Sequence, residues 1–118
     1  MIEVEVALYG GLASVRGKKY VAQFDTEIQA GATIADLYEH LGISPEERSY
    51  LFINAILCDV PGLNAAIDEP LHDGDHIGIF SQGYMWPYQY RDGARMSESL
   101  TAALKEHGAM HHTYHQNK

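Results

Sequence analysis

Cysteine is almost absent from this chain: Cys58 is the single one in 118 residues. One cysteine cannot form an internal bridge, so no disulfide framework holds the fold, and the residue says little about an oxidising compartment. Long apolar runs are missing too. None approaches the roughly 20 residues a helix needs to cross a bilayer. The opening MIEVEVAL has no basic stretch leading into an apolar one, so it does not read as a secretory signal. A cytoplasmic protein is the expectation. Basic side chains are scarce, with 8 Lys and Arg against 16 Asp and Glu, a net charge of −8. The imbalance lies in the body: residues 1–93 hold 14 acids and 5 bases, residues 94–118 hold 2 and 3. An acidic body repels phosphate backbones and argues against a nucleic-acid partner. It suits a basic groove on another protein, or serves solubility alone. There is no glycine-rich phosphate loop, no Ser-His-Asp constellation and no nucleotide motif. The expectation is a protein that is not an enzyme and holds no cofactor.

What is present reads as one globular domain with a tail. Ile2, Val4, Val6 and Leu8 alternate with Glu3, Glu5 and Ala7, the period of a half-buried strand. Gly10-Gly11 ends it. A loop with Arg16, Gly17, Lys18 and Lys19 leads to a second alternating run, Tyr20 to Phe24, as a hairpin partner or a neighbour. In GATIADLYEHLGI, Thr33 is an N-cap with Asp36 three residues on, a weaker capping box. Ile34, Leu37, Tyr38 and Leu41 then share one helical face, and Gly42 is the stop. Ser44-Pro45-Glu46-Glu47 repeats the start signal and predicts one short turn. YLFINAILCDV (50–60) is one strand, or two around Asn54-Ala55. Pro61-Gly62 turns the chain, residues 63–70 look irregular, and Asp73-Gly74-Asp75 is a tight turn before a last strand, His76 to Phe80. Five short strand candidates and one main helix predict an α+β sheet with the helix on one face.

From Ile2 to about Phe80 the chain resembles the ubiquitin-like β-grasp proteins of the ThiS/MoaD sulfur-carrier family. The resemblance rests on IEVEVALYG, on GATIADLYEHLGI, on Asn54 in LFINA, and on EPLHDGDHIGIF. It implies a mixed sheet of about five short strands packed on one helix. In that family the chain ends Gly-Gly, and an activating enzyme converts the terminal carboxylate to a thiocarboxylate that supplies sulfur to molybdopterin or thiamine. A diglycine thread can enter a narrow site and adopt angles other residues avoid. Here the equivalent end falls near Met85-Trp86, and 32 residues follow. Gly83 is single, and Gly93 lies further on behind Asp92. The resemblance therefore implies the scaffold of a carrier without its working end.

That leaves 1–82 as the β-grasp domain and 83–118 as an extension: an aromatic arm (83–91), a helix capped by Ser97 over about 98–107, and a frayed histidine-rich tail. In the arm, GYMWPYQY, Tyr84, Trp86, Tyr88 and Tyr90 alternate with Met85, Pro87 and Gln89. Pro87 excludes a central strand. Rings of this kind either fold back over a sheet or anchor a partner. Tyr84, Met85, Trp86, Pro87, Tyr88 and Tyr90 are the candidate partner-binding residues. Two copies exchanging tails would combine both roles.

The leading expectation is a non-catalytic accessory or small subunit of a cofactor-dependent enzyme or its maturation system. The alternatives are two. One is a sulfur carrier for molybdopterin, tungstopterin or thiamine synthesis, made as a precursor and cut after Gly83 or Gly93. The other is a metal-binding tail through His107, His111, His112 and His115. His111 and His115 stand four apart, one helix face, but Gly108 works against a helix there. His72 and His76 read as surface residues beside the turn, Asp73 and Asp75 as turn formers, and Cys58 as a small core residue.

Overall fold

The computed structural model describes residues 1–17, 20–82 and 95–106. Strand β1 (Ile2–Tyr9) pairs antiparallel with β2 (Val21–Ile28) and parallel with the last strand, β5 (His76–Ser81). Strand β3 (Arg48–Ile53) runs antiparallel to both β5 and β4 (Ile56–Asp59). The sheet order is β2-β1-β5-β3-β4. One inner strand pair is parallel, and helix α1 (Ile34–Leu41) covers one face. This is the α+β arrangement that the alternation predicts, with the mixed sheet that the family resemblance implies.

The local signals explain the element ends. Thr33 caps α1 by accepting the Asp36 N–H, while the Asp36 carboxylate accepts the Thr33 N–H at 2.9 Å, a reciprocal box. Gly42 closes the helix at φ 76°, and the Ile43 N–H reaches back to the Tyr38 carbonyl. The 50–60 segment divides into two strands because Asn54 and Ala55 both take positive φ, 52° and 68°, the backbone of a two-residue hairpin turn. Pro45–Glu47 forms a 3-10 turn.

Several boundaries differ from the sequence reading, among them the start of β3 at Arg48, two residues before Tyr50. The second strand begins at Val21 and continues to Ile28, four residues beyond Phe24. Asp25 and Glu27 look like a strand end, but pairing with β1 carries the ladder on until Ile28 sits opposite Ile2. The β1–β2 connection is a 3-10 helix, Gly10–Arg16, where a plain loop was expected; Leu12 and Ala13 are buried from it, and the Arg16 guanidinium lies 4.0 Å over the Phe24 ring. The last strand runs one residue past Phe80, to Ser81.

The core divides by sheet face. On the inner side Val4, Val6, Leu8, Leu51, Ile77 and Ile79 meet Ile34, Leu37 and Tyr38 of α1. On the outer side Phe52, Leu57, Val60 and Phe80 form a smaller cluster. Helix α2 (Glu98–Glu106) covers it through Leu100, which has no exposed surface. Ser97 caps α2, its hydroxyl accepting the Leu100 N–H at 3.1 Å.

Candidate functional site

The outer sheet face is where the chemistry of this chain varies most, and it falls into two halves. Along β1 and β2 the outward residues stand opposite one another as Glu3 with Glu27 and Glu5 with Asp25. Like charges directly across a ladder destabilise it. They are partly eased: the Gln23 amide donates to Glu5 at 3.0 Å, and the His76 ring contacts the other Glu5 carboxylate oxygen. The other half is aromatic. Tyr9 stacks on Phe80 with ring centroids 4.4 Å apart, and Phe52 meets Phe80 edge-on at 5.8 Å. Gly78 lies among these rings; a Cβ there would come no nearer than 3.7 Å to any of them.

The approach of α2 to this face is defined by two backbone hydrogen bonds. The Leu57 N–H donates to the Arg95 carbonyl at 2.7 Å, and the Ser97 N–H donates to the Leu57 carbonyl at 2.9 Å. Residues 95–97 thereby add a parallel bridge at Met96 to the outer edge of β4. An edge strand with open backbone groups is a template for unwanted pairing, and here the chain itself occupies it.

The exit from β5 is also fastened. The Ser49 hydroxyl donates to the carbonyls of Phe80 and Ser81, and the Gly11 N–H donates to the Ser81 hydroxyl. The Gln82 N–H donates to the Glu47 carbonyl at 3.2 Å, and its side-chain amide donates to the carbonyls of Glu46 and Arg48. Beneath this clasp lies Arg48, 2% exposed. Its guanidinium donates to the carbonyls of Ser49, Val60 and Leu63 and to the Asn64 side chain, and it lies 3.8 Å from the buried Asp59 carboxylate. Asp59 accepts the N–H groups of Val60, Ala65 and Ala66, which orders the irregular 60–66 segment. Burial pushes the nearby Tyr38 phenol well above its usual range, with the Arg48 cation acting the other way. None of this was legible in the sequence. An arginine at the front of an apolar strand looks like a surface residue until the segment that wraps it is placed.

The turn residues have structural partners. Asp73 accepts the Glu3 N–H at 2.8 Å. Asp75 accepts the Asn54 amide at 2.9 Å and the His72 N–H at 2.8 Å, while Asn54 accepts the His76 N–H. This explains why Asn54 and the Asp-Gly-Asp turn appear together: one hairpin is tied to the start of β5. The imidazoles of His72 and His76 are largely exposed, at 74% and 68%. Cys58 is buried on the inner side, and burial raises its thiol pKa, the reverse of an activated nucleophile. Among the described residues no group of three His, Cys, Asp or Glu is placed to hold a metal ion, and no helix is long and apolar enough to cross a membrane. Tyr84, Met85, Trp86, Pro87, Tyr88 and Tyr90, the glycines Gly83 and Gly93, and His107, His111, His112 and His115 lie outside the described residues. What is placed is the pair of anchors that flank residues 83–94: Gln82 on one side and Arg95 on the other.

No protein-family profile and no curated protein matches the chain. Solved structures do. A Pyrococcus furiosus protein described as molybdopterin converting factor, subunit 1, superposes with a TM-score of 0.50 at 21% identity, over 69% of this chain and 98% of that one. The small archaeal modifier protein 1 of H. volcanii gives 0.47 at 18%, with the same coverage. The first of these likenesses establishes the fold as the ubiquitin-like β-grasp, as the sequence resemblance implied. Nearly all of that smaller protein is matched, so about a third of this chain is additional to it.

Proposed function

We propose that this chain is a non-catalytic, protein-binding accessory built on a β-grasp scaffold, acting as a small subunit of a cofactor-dependent enzyme or of the machinery that matures one. The observation that carries the reading is the return of the chain after β5. A carrier of the sulfur type works through a free, threadable end. Here residues 95–97 bond to the edge of β4, and Leu100 is buried on the outer face. Cleavage after Gly83 or Gly93 would sever this packed segment from the domain. Gln82 and Arg95, the described residues on either side of 83–94, both hydrogen-bond to the domain, which favours a docking role over a free thread. Tyr84, Met85, Trp86, Pro87, Tyr88 and Tyr90 supply the rings and apolar surface that anchor interfaces. The acidic half formed by Glu3, Glu5, Asp25 and Glu27 supplies long-range attraction to a basic partner.

The competing reading is a carrier precursor, which the likeness to a molybdopterin converting factor subunit keeps in view. The intact mass of the protein from its native host separates the two. A full-length, unmodified chain is expected. A chain ending at Gly83 or Gly93, with sulfur in place of one terminal oxygen, would make it a carrier and reduce α2 to part of a discarded piece. For the full-length protein, converting Trp86 and Tyr88 together to Ala should release the partner that co-purifies with it. Retention of that partner at wild-type levels would remove the arm from the interface.

A further inference from the structure

The two edges of the sheet end differently. The edge at β4 is four residues long, and residues 95–97 bond to it through Leu57. The edge at β2 is eight residues long, and β2 pairs with β1 alone. The register shows which backbone groups it leaves open. The Gly10 N–H donates to the Tyr20 carbonyl at 2.7 Å, in line with the ladder that sets Leu8 opposite Ala22 and Val6 opposite Phe24. Along an antiparallel pair, opposed residues alternate between exchanging hydrogen bonds and turning their groups away. Ala22, Phe24, Thr26 and Ile28 therefore face β1 with their backbone groups, and Val21, Gln23, Asp25 and Glu27 turn theirs outward. Glu5, opposite Asp25, agrees: its N–H leaves for the Asp75 carbonyl on the other side of β1. Among the described residues no donor or acceptor meets the outward set. A long edge of unpaired groups is a template for another strand.

We propose that the β2 edge receives an extended basic segment of a partner protein, which adds to the sheet as a further strand and carries Lys or Arg at alternate positions. Backbone pairing supplies the attachment, and alternate side chains supply the selection. On the outer face the incoming side chains stand beside Gln23, Asp25 and Glu27, with Glu3 and Glu5 on the next strand. Neither Asp25 nor Glu27 has a side-chain hydrogen bond or an ion pair among the described residues, so both carboxylates are available to a cation. A row of cations there also relieves the repulsion of Glu3 with Glu27 and of Glu5 with Asp25. On the inner face the incoming side chains stand beside Ala22, Phe24 and Thr26, and apolar residues suit that row. The Thr26 hydroxyl and His40 Nε2 lie 3.0 Å apart, which sets the end of α1 against this part of the strand. The groove between α1 and residues 27–32 is lined by Glu27, Asp36 and Glu39, again acidic. A second copy of this chain is the poorer occupant: it brings its own Asp25 and Glu27 to the edge, and each body is acidic. The carboxylates that guard the edge against self-pairing thus select a basic strand. This surface is separate from the aromatic arm and goes beyond the accessory reading.

Hydrogen exchange on the full-length wild-type protein tests the open edge first. The amides of Ala22, Phe24 and Thr26 should exchange roughly 100-fold or more slowly than those of Gln23, Asp25 and Glu27. Equal protection of the two sets would show the edge already paired and overturn the proposal. The probe for the occupant is a seven-residue peptide alternating lysine and valine. It should slow exchange at Gln23, Asp25 and Glu27 and leave β4 unchanged. Its lysines share the outer face with those residues, so the lysine amides are the ones that pair with the edge. N-methylation of the lysine amides should weaken binding about tenfold or more, and N-methylation of the valine amides should not. Glutamate in place of lysine should abolish the protection at low salt. The double variant Asp25→Asn, Glu27→Gln, which relieves the carboxylate pairs and so keeps the strand, should bind the lysine peptide about fivefold more weakly. Binding that survives methylation of the lysine amides is charge attraction alone and overturns strand addition. Equal binding of the lysine and glutamate peptides overturns the basic partner, and no protection by either removes the edge as a receptor. Protection of Gln23, Asp25 and Glu27 that grows with the concentration of the protein alone would put a second copy there instead. Each failure leaves the accessory reading to the mass and co-purification measurements.

Discussion

The two faces of the sheet are built on different terms. Among the described residues the inner face packs eighteen buried residues, from the five strands, α1 and the segments that join them, into one largely aliphatic cluster, and the outer face holds four with Leu100 of α2 over them. Inside, nearly every contact is between branched or aliphatic side chains, and burial is the purpose. Outside, aromatic rings on β1, β5 and β3 share a face with unfavourable carboxylate pairs on β1 and β2. A face optimised for stability would not set Glu3 against Glu27 and Glu5 against Asp25. The inner face carries the fold, and the outer face sets aromatic cover beside repelling charge.

The sharpest way to break that distinction is at the seam. Arg48 and Asp59 link both clusters, since Asp59 holds Val60 of the outer one and Ala66 of the inner one. Arg48→Ala leaves a buried carboxylate without its cation and strips several carbonyls of their donor. It should cost about 3–5 kcal/mol in chemical denaturation. A cost under about 1 kcal/mol would mean the 60–66 segment holds itself. Next in size are matched truncations. Leu37→Ala on the inner face should cost about 3–4 kcal/mol and Leu100→Ala about 2 kcal/mol, because the outer site can collapse or let α2 lift away. Equal costs with one cooperative transition would merge the two faces into a single core.

A smaller effect concerns alkali. The folded protein keeps Tyr38 neutral beyond its ordinary range because the phenol is buried. The unfolded chain ionises a tyrosine near pH 10. The unfolded state therefore holds fewer protons above about pH 10, and stability falls as pH rises from there toward the raised folded value. Tyr38→Phe should flatten this alkaline decline while leaving stability at pH 7 within about 1 kcal/mol, since the hydroxyl has no hydrogen-bond partner among the described residues. Thermal melts at pH 7 and pH 10.5 decide it, and an identical alkaline slope in the variant would assign the loss elsewhere. The smallest change is Gly78→Ala. The added Cβ finds ordinary contact distances, the nearest 3.7 Å, and a glycine inside a strand is itself weakening. The expected result is neutral to slightly stabilising, within about 0.5 kcal/mol. A loss above about 2 kcal/mol would show that the rings on the outer face close more tightly on the sheet than these distances allow.

Much of the inner face was readable from residues alone. Val4, Val6 and Leu8 announce it by period two, and Ile34, Leu37 and Tyr38 by period 3.6, because burial on one side of a regular element leaves its period in the sequence. The capping signals of Thr33, Gly42 and Ser97 were readable for the same reason: each satisfies groups within a few residues of itself. The extra length of β2 was not readable, because Asp25 and Glu27 are strand residues only by virtue of β1 beside them.

By itself, then, the sequence determined alternating strands, one amphipathic helix, an acidic body and a capped second helix. Every one of those features is local in the chain. The tertiary structure alone decided that Arg48 is interior, that Asn54 and Asp75 bind each other, and that Leu57 receives Arg95 and Ser97 and so brings α2 onto the outer face. These are pairings between residues 11 to 40 positions apart. No spacing rule reports them, because closing the intervening chain is decided by the packing of the whole and leaves no period behind.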